Sequence, residues 1–562
     1  RSHVFQDQRE RGLSRPQLRP LDMMEDRYSI GTLSGGPASV VTSYQGTLSQ
    51  ATPVPIESSG ERLESRAAMM FLAAYPLFSI ESLDEVSGRS SLLSGGPGTT
   101  RTLVHNRPEF DVDGSLLRVG YAGSVASSSR IELLFARNVA DDLTLSVDLQ
   151  RIASDGLRIN EEFESLFGVA SLDWFSDGSA RMTGLIEVGE IEGGASGGLG
   201  AGSGALTTGP VLEQLTMRSL RHRRAVLSYR RYNEGGATTL VASNHPWLDV
   251  SLFYRHEGWV DHAGNTDTGS SIVDFAGIRG AIDHRVGDFA VRASSGARLG
   301  NGRLGGADAT VLAGLLLSGR TRIEVGGAFV ADSIESTAAV AIGLGGNEEG
   351  LRYRVDGRFY PGGAADGPIG PVLSGDDANV YRYDWVAEGR FGIDRDGWAA
   401  EFDGDIGGLR RADGESALMI GVTGRTSMRL EPVALRLSAS INSFPVTKEI
   451  VPLFSSFGSV EYRLTLLNGA LDLLWGIDMR WGTEAGYTRY DVDSGHFVSR
   501  SNDRQLPIAV DPLLGARVTA RIGSAFFTLE GVNLLGGEYL TLRRYPASSR
   551  GLNFGLNWTL ID

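Results

Sequence analysis

Residues 551–561 read Gly551-Leu552-Asn553-Phe554-Gly555-Leu556-Asn557-Trp558-Thr559-Leu560-Ile561. Apolar side chains take every second position from Leu552 to Leu560, and Asn553, Gly555, Asn557 and Thr559 fill the gaps. Successive side chains of a strand point to opposite faces, so this segment has one apolar face and one small or polar face. Such a strand suits the edge of a soluble sandwich or the closing strand of an outer-membrane barrel. The rest of the chain must decide between them.

The same period recurs upstream. Leu143, Leu145, Val147 and Leu149 alternate with Thr144, Ser146, Asp148 and Gln150. Ala180, Met182, Gly184, Ile186 and Val188 alternate with Arg181, Thr183 and Glu187. Val433, Leu435, Leu437, Ala439 and Ile441 follow the rule, as do Leu471, Leu473, Trp475, Ile477 and Met479. From about Ser115 onward, no convincing helical period interrupts this pattern.

The connections separate the two architectures. Asp177-Gly178, Gly287-Asp288, Gly319-Arg320, Asp396-Gly397, Asn468-Gly469 and Gly523-Ser524 are two-residue hairpin signals that tolerate positive φ. Other connections are long, at roughly 189–211, 297–308, 361–379, 443–456, 483–511 and 535–550. From Gly287 on, short and long mostly take turns. That is the plan of a membrane barrel, and a sandwich has no reason to sort its loops this way. Trp174, Trp398, Trp481 and Trp558 stand near strand ends, as an interfacial girdle requires. The strand count between about 210 and 275 does not come out even.

Composition narrows the function classes. The chain has 562 residues, 75 of them glycine, and no cysteine, which removes disulfides, thiolate metal sites and cysteine nucleophiles. The formal net charge is -15 and the one lysine is Lys448, so nucleic acid is not an expected partner. Near-absence of lysine fits both a high-salt habitat and a GC-rich genome. No run approaches the roughly 18 apolar residues of a membrane helix. The best, Ala67 to Phe78, is interrupted by Pro76. Arg1-Ser2-His3-Val4 carries no signal-peptide core, so an exported chain is expected here in its mature form.

Three regions follow: a loose segment over 1–30, an N-terminal region over 31–110 that is luminal or periplasmic, and a barrel over 111–562. In the middle region Gly35-Gly36-Pro37 and Gly95-Gly96-Pro97 read as turns, and Glu61 to Met70 as a helical turn or two. The expected fold is all-β: a large antiparallel transmembrane β-barrel of about 18–22 strands with short periplasmic turns and long extracellular loops.

Few motifs carry chemistry. Gly194-Ala195-Ser196-Gly197-Gly198 has the G-x-S-x-G spacing but sits in a glycine-rich loop, not at a strand-to-helix elbow. His222, His245, His256 and His262 form no i, i+4 metal pair and read as scattered surface residues. Asp111/Asp113, Glu348/Glu349 and Asp376/Asp377 read as solvated loop charge more readily than as calcium ligands. No catalytic residue, metal or cofactor is expected. Arginines crowd 221–231 (Arg221, Arg223, Arg224, Arg230, Arg231), share one face at Arg352, Arg354 and Arg358, and precede the last strand at Arg543 and Arg544. Arginine facing carboxylate inside a pore sorts solutes by charge and size. The pore-lining candidates are Arg230, Arg352, Arg354, Arg436, Asp472, Asp478 and Arg480. Arg352 and Arg354 are expected in the lumen, on the face opposite Tyr353 and Val355.

The C-terminal third also resembles a family. Gly476-Ile477-Asp478-Met479-Arg480-Trp481, Thr483, Ala485-Gly486-Tyr487, Phe497, Pro507-Ile508, Asp511-Pro512, Phe527 to Leu535 and Tyr545-Pro546 are similar to the motif region of the porins of Bacteroidetes-type outer membranes. Gly31 to Gly35 is similar to that family's opening segment, and Arg151-Ile152 through Gly156 and Phe163 to an early strand running into its loop. Asn533-Leu534-Leu535 and Tyr545-Pro546 occur in TonB-dependent receptors as well. The ending Trp558-Thr559-Leu560-Ile561-Asp562 departs from the terminal aromatic common in barrels. The resemblance implies an outer-membrane porin for passive diffusion of small hydrophilic solutes. The alternative is a non-conducting scaffold or surface-anchor barrel whose loops bind a protein or surface partner. A substrate-gated receptor ranks below both, because the N-terminal region lacks a convincing plug domain; residues 28–107, which fit neither strands nor a free tail, are the candidate for a segment that fills the lumen. Expected partners are outer-membrane lipid, lipopolysaccharide and a protein at the loops. The oligomeric state stays open.

Overall fold

In the computed structural model, twenty-two strands close into one antiparallel barrel. They are β1 (Ser115–Ser124), β2 (Ser128–Ala140), β3 (Leu143–Ser154), β4 (Phe163–Ser176), β5 (Ala180–Gly194), β6 (Thr216–Arg231), β7 (Leu248–Ala263), β8 (Thr266–Val286), β9 (Phe289–Gly300), β10 (Arg303–Leu316) and β11 (Thr321–Asp332). Then follow β12 (Ser336–Glu348), β13 (Leu351–Ala364), β14 (Tyr381–Arg395), β15 (Trp398–Arg411), β16 (Ser416–Leu430), β17 (Val433–Ser443), β18 (Phe454–Leu466), β19 (Leu471–Gly482), β20 (Leu513–Ile522), β21 (Ala525–Val532) and β22 (Gly551–Ile561). The structure describes these strands, most of their tight turns and short pieces of the longer loops. Of the first 110 residues it describes 56–58, 61–63, 75–79, 82–87 and 101–106.

Each strand pairs with its sequence neighbours, and β22 pairs back onto β1, with Asn553 opposite Ser124 and Ile561 opposite Leu116. Closure leaves no open edge, as hydrocarbon demands of a spanning sheet. The faces separate as the alternation predicts. On β22, Leu552, Phe554, Trp558 and Leu560 are exposed on the outer wall, while Asn553 and Thr559 are buried. Leu149, Ile186, Leu227, Val355, Phe402 and Ile441 belong to the same exposed apolar belt. The burial of polar residues and exposure of apolar ones is the inverse of a soluble core.

One end of the barrel gathers the tight turns. Gly287 (φ 58°), Asn468 (φ 54°), Gly469 (φ 91°) and Gly523 (φ 60°) sit there in the left-handed region that such reversals use. Both barrel termini, Ser115 and Ile561, lie at this end, as an even strand number requires. Two connections differ from expectation. The long loop expected over 297–308 shrinks to residues 301–302, because β9 and β10 run through their glycines and pair up to Gly300 and Arg303. Between β6 and β7 the order inverts: 232–247 links them at the tight-turn end, and only 264–265 separate β7 from β8 at the other. That inversion is why no even count came from loop lengths there.

The N-terminal region contributes its own four-stranded sheet. Ile56–Ser58 pairs antiparallel with Glu61–Leu63 and parallel with Arg101–Asn106, whose other edge takes Ser82–Ser87 antiparallel. Glu61–Leu63 is strand where a helical turn was expected. The expected loose segment 1–30, both Gly-Gly-Pro turns, Asp111/Asp113 and Asp376/Asp377 lie outside the described residues.

Candidate functional site

Charge collects on the inner face. On β6, His222, Arg224 and Ser228 are buried and alternate with exposed Arg223, Ala225 and Leu227. The register sets Arg224 against Glu187 of β5 and Arg255 of β7. Arg224 donates from Nη1 to both Glu187 oxygens, at 3.0 and 3.2 Å, with both residues 1% exposed. His222, expected at the surface, is buried between Glu187 (3.5 Å) and Glu257 (3.7 Å) and stacks on Phe167 with ring centres 5.7 Å apart. Gly189 makes room for that phenyl ring, since a Cβ there would fall 2.3 Å from it. Burial of charge at this depth is tolerable only with partners at hand.

A second cluster lies on β1–β3. Glu132 and Asp148 are each 1% exposed, and Arg118 is close by and buried. Residues 75–79 dock between the clusters. Pro76 starts a tight turn, Leu77–Ser79, closed by the Ser79 N–H donating to the Pro76 carbonyl at 3.2 Å. The turn aims three groups at the wall. The Tyr75 hydroxyl donates to Glu187 at 3.1 Å, the Phe78 N–H donates to Glu132, and the Ser79 hydroxyl donates to Asp148 at 2.8 Å. Gln150 Nε2 donates to the Tyr75 carbonyl at 3.4 Å. The Phe78 ring lies under the Arg118 guanidinium, 5.0 Å from its centre, and packs with Leu116, Leu134 and Ala136. Gly120 keeps that niche open, because a Cβ there would come within 2.9 Å of Phe78 Cζ. Three separate donors held by buried carboxyl groups, each of which would be costly to leave unpaired, make this a grip, not a grazing contact.

The pore-lining candidates do not converge on this site. Arg230 donates from Nε to Asp249 at 3.2 Å across β6 and β7. On β13, Arg352 and Arg354 lie on the face opposite Val355 and Phe359, and Arg354 bonds to Asp356 with Glu324 at 4.0 Å. Arg436 reaches Glu461 at 3.5 Å. Asp472 accepts from Thr465 at 2.7 Å and Arg463 at 3.3 Å. Asp478 is half-buried on the same strand, with its Oδ1 2.6 Å from where a Cβ on Gly515 would stand. Arg480 pairs in register with Phe457 and Leu513, and its side chain lies outside the described ones. Sequence reasoning missed Glu132, Asp148 and Glu187. The available signal was three carboxylates at mid-strand on the polar face of β2, β3 and β5.

No family model matches the chain, and no curated protein matches it in sequence. Solved structures do. The barrel is similar to the copper transporter OprC (TM-score 0.64, 12% identity, 90% of each chain covered). It is similar to the FrpB iron transporter of Neisseria meningitidis, F5-1 variant (TM-score 0.63, 11% identity, 90% of this chain and 93% of that one). It is also similar to the ferric enterobactin receptor PfeA of Pseudomonas aeruginosa (TM-score 0.62, 9% identity, 91% of each chain). Together with the outward apolar belt, this fold places the protein in the outer membrane.

The comparison corrects the functional expectation. The similar folds are receptors and transporters of siderophores, iron and copper, neither passive porins nor surface scaffolds. Nor does any family model support membership of the Bacteroidetes-type porins. The receptor class ranked lowest for want of a convincing plug domain in the N-terminal region. That region forms a sheet and sends residues 75–79 against the inner wall.

Proposed function

We propose that the protein is a gated receptor-transporter whose N-terminal region closes its own barrel. The observation that carries this reading is the grip of Glu132, Asp148 and Glu187 on residues 75–79. A barrel closed from within admits solute only after that grip is released, and release costs the free energy of several buried hydrogen bonds. The inward ion pairs at Arg230, Arg354, Arg436 and Asp472, with Arg352, Asp478 and Arg480 on the same strands, would line the path that opens. The ligand class follows from the similar folds: a chelated transition metal, iron in a siderophore or copper. Lipid of the outer membrane, with lipopolysaccharide in its outer leaflet, covers the belt.

Planar-bilayer recording of the full-length chain tests this. The unmodified protein is expected to stay silent. Glu132→Gln combined with Asp148→Asn is expected to produce stepwise openings, because the amides no longer hold Phe78 and Ser79 as charged acceptors. Stepwise openings from the unmodified protein at every insertion would sink the reading. Quenching of tryptophan fluorescence on titration with ferric siderophores and copper complexes then identifies the ligand.

A further inference from the structure

The outer wall is interrupted over β3–β7. Gly184 pairs with Leu172 on one side and Leu227 on the other, and the next row runs Ala170, Ile186, Ala225, Tyr254. The small residues Gly184, Ala170 and Ala225 sink the surface, leaving an apolar groove of about 560 Å³ walled by Leu172, Ile186, Leu227, Leu252 and Tyr254. A Cβ on Gly184 would meet nothing within 4 Å. The volume falls in the range of genuine ligand sites, about 300–1,000 Å³.

Directly above the groove, toward the end away from the tight turns, the wall turns charged. Two residues up β6 from Ala225 stands Arg223, exposed on the outer face and in register with Val188 and His256. Its neighbours are neutralised. Arg221 donates to Glu190 at 2.8 Å, Arg151 to Glu164 at 2.7 Å, and His256 Nδ1 lies 2.8 Å from Asp274. Arg223 has no ion pair or side-chain hydrogen bond among the described residues. An unpaired arginine on a lipid-facing wall is costly unless it reaches the interface or meets an anion. An anionic lipid headgroup supplies such a charge directly above an apolar groove that takes its acyl chain.

We infer that this is a lipid site for lipopolysaccharide. One acyl chain lies in the groove over Gly184, and a lipid A phosphate meets Arg223. The inference rests on the outer-membrane reading of the loop end as the outer leaflet, and it is independent of whether the barrel is gated.

The experiment titrates phosphorylated lipid A into the full-length protein in mild detergent and reads bound lipid by native mass spectrometry. Arg223→Ala is expected to weaken binding about fivefold, the loss of one cation at a membrane surface. Gly184→Leu fills the groove from a position with room for it and is expected to weaken binding as well. Arg429→Ala, at an exposed pair by the tight turn before Val433, serves as the control and is expected to bind as the unmodified protein does. Heat-modifiable migration on gels confirms that each variant is folded. Equal binding by Arg223→Ala and the unmodified protein overturns the proposal, as does equal binding of dephosphorylated lipid A. Equal affinity for phosphatidylglycerol overturns the commitment to lipopolysaccharide. Silent or conducting bilayers leave this readout unchanged, so the gating proposal and the lipid site fail separately.

Discussion

Two stretches of the inner wall carry the same chemistry in different amounts of water. On β2, β3, β5 and β6 the inward charges are dry: Arg224 and Glu187 show side-chain exposures of 0% and 1%. Half-way round the barrel, on β14–β16, the inward arginines Arg390 and Arg425 share Asp403 at 2.6 Å each, yet remain 41% and 42% exposed. Strand pairing and alternation are alike in both places. What differs is the cover: among the described residues, Tyr75, Phe78 and Ser79 dock on the first stretch. The dry wall is a binding surface for the protein's own chain, and the wet wall faces the lumen.

The comparison breaks most visibly at Arg224. Truncating one partner of a buried pair leaves the other charge stranded, at a cost of about 3–5 kcal/mol. Arg224→Ala is therefore expected to lower the urea midpoint of the protein refolded in lipid vesicles more than any substitution on the wet wall. It leaves Glu187 with only His222 and the Tyr75 hydroxyl at this depth, so the docked segment should loosen with it. An unchanged midpoint would mean that water reaches Glu187 and that the dry wall is not dry.

A smaller effect is expected at Gly120. The methyl of Gly120→Ala would stand 2.9 Å from Phe78 Cζ, so the ring must shift out of its niche. Overpacking of this kind costs about 1–3 kcal/mol. The cost falls on docking more than on the barrel, because β1 keeps its pairing with β2 and β22. Hydrogen exchange should show faster exchange at Phe78 with the β1 amides still protected. Loss of protection along β1 would place Gly120 in barrel closure instead.

How much of this could be read from the chain alone depends on which physics is local. The belt was legible because a period of two is written into each strand: Leu552 to Leu560 declare both faces without outside help. Closure was legible from turn chemistry at Gly287, Asn468 and Gly523. The stretch 297–308 misled because glycine has no face, and Gly296, Gly300 and Gly306 erased the pattern that marks a strand. Residues 28–107 could be named as a candidate for the lumen, since they fit neither strands nor a free tail, but the residues of the grip could not. Tyr75 to Ser79 looked like the end of a broken apolar run, and its partners Glu132, Asp148 and Glu187 lie between 54 and 112 residues away. Alternation says that a carboxylate faces inward and is silent on what it meets there. For the same reason the inward positions of Arg230, Arg354, Arg436 and Asp472 could be named strand by strand, while the dry cluster could not.

The sharpest control on that distinction is also the weakest perturbation. Arg425 bonds to Asp403 at 2.6 Å and Glu401 at 3.3 Å, and the first of these is shorter than either contact of Arg224 with Glu187, 3.0 and 3.2 Å. If distance alone set the energy, Arg425→Ala would cost as much as Arg224→Ala. Solvent decides otherwise. At 42% exposure the guanidinium keeps much of its hydration, and exposed pairs contribute about 0–1 kcal/mol. Asp403 also keeps a second partner, Arg390 at 2.6 Å, so no carboxylate is stranded. Arg425→Ala is expected to leave the urea midpoint nearly unchanged and to be insensitive to added salt. A loss as large as that of Arg224→Ala would show that this wall, too, is covered in the folded protein, and that the division between gripping wall and lumen is drawn in the wrong place.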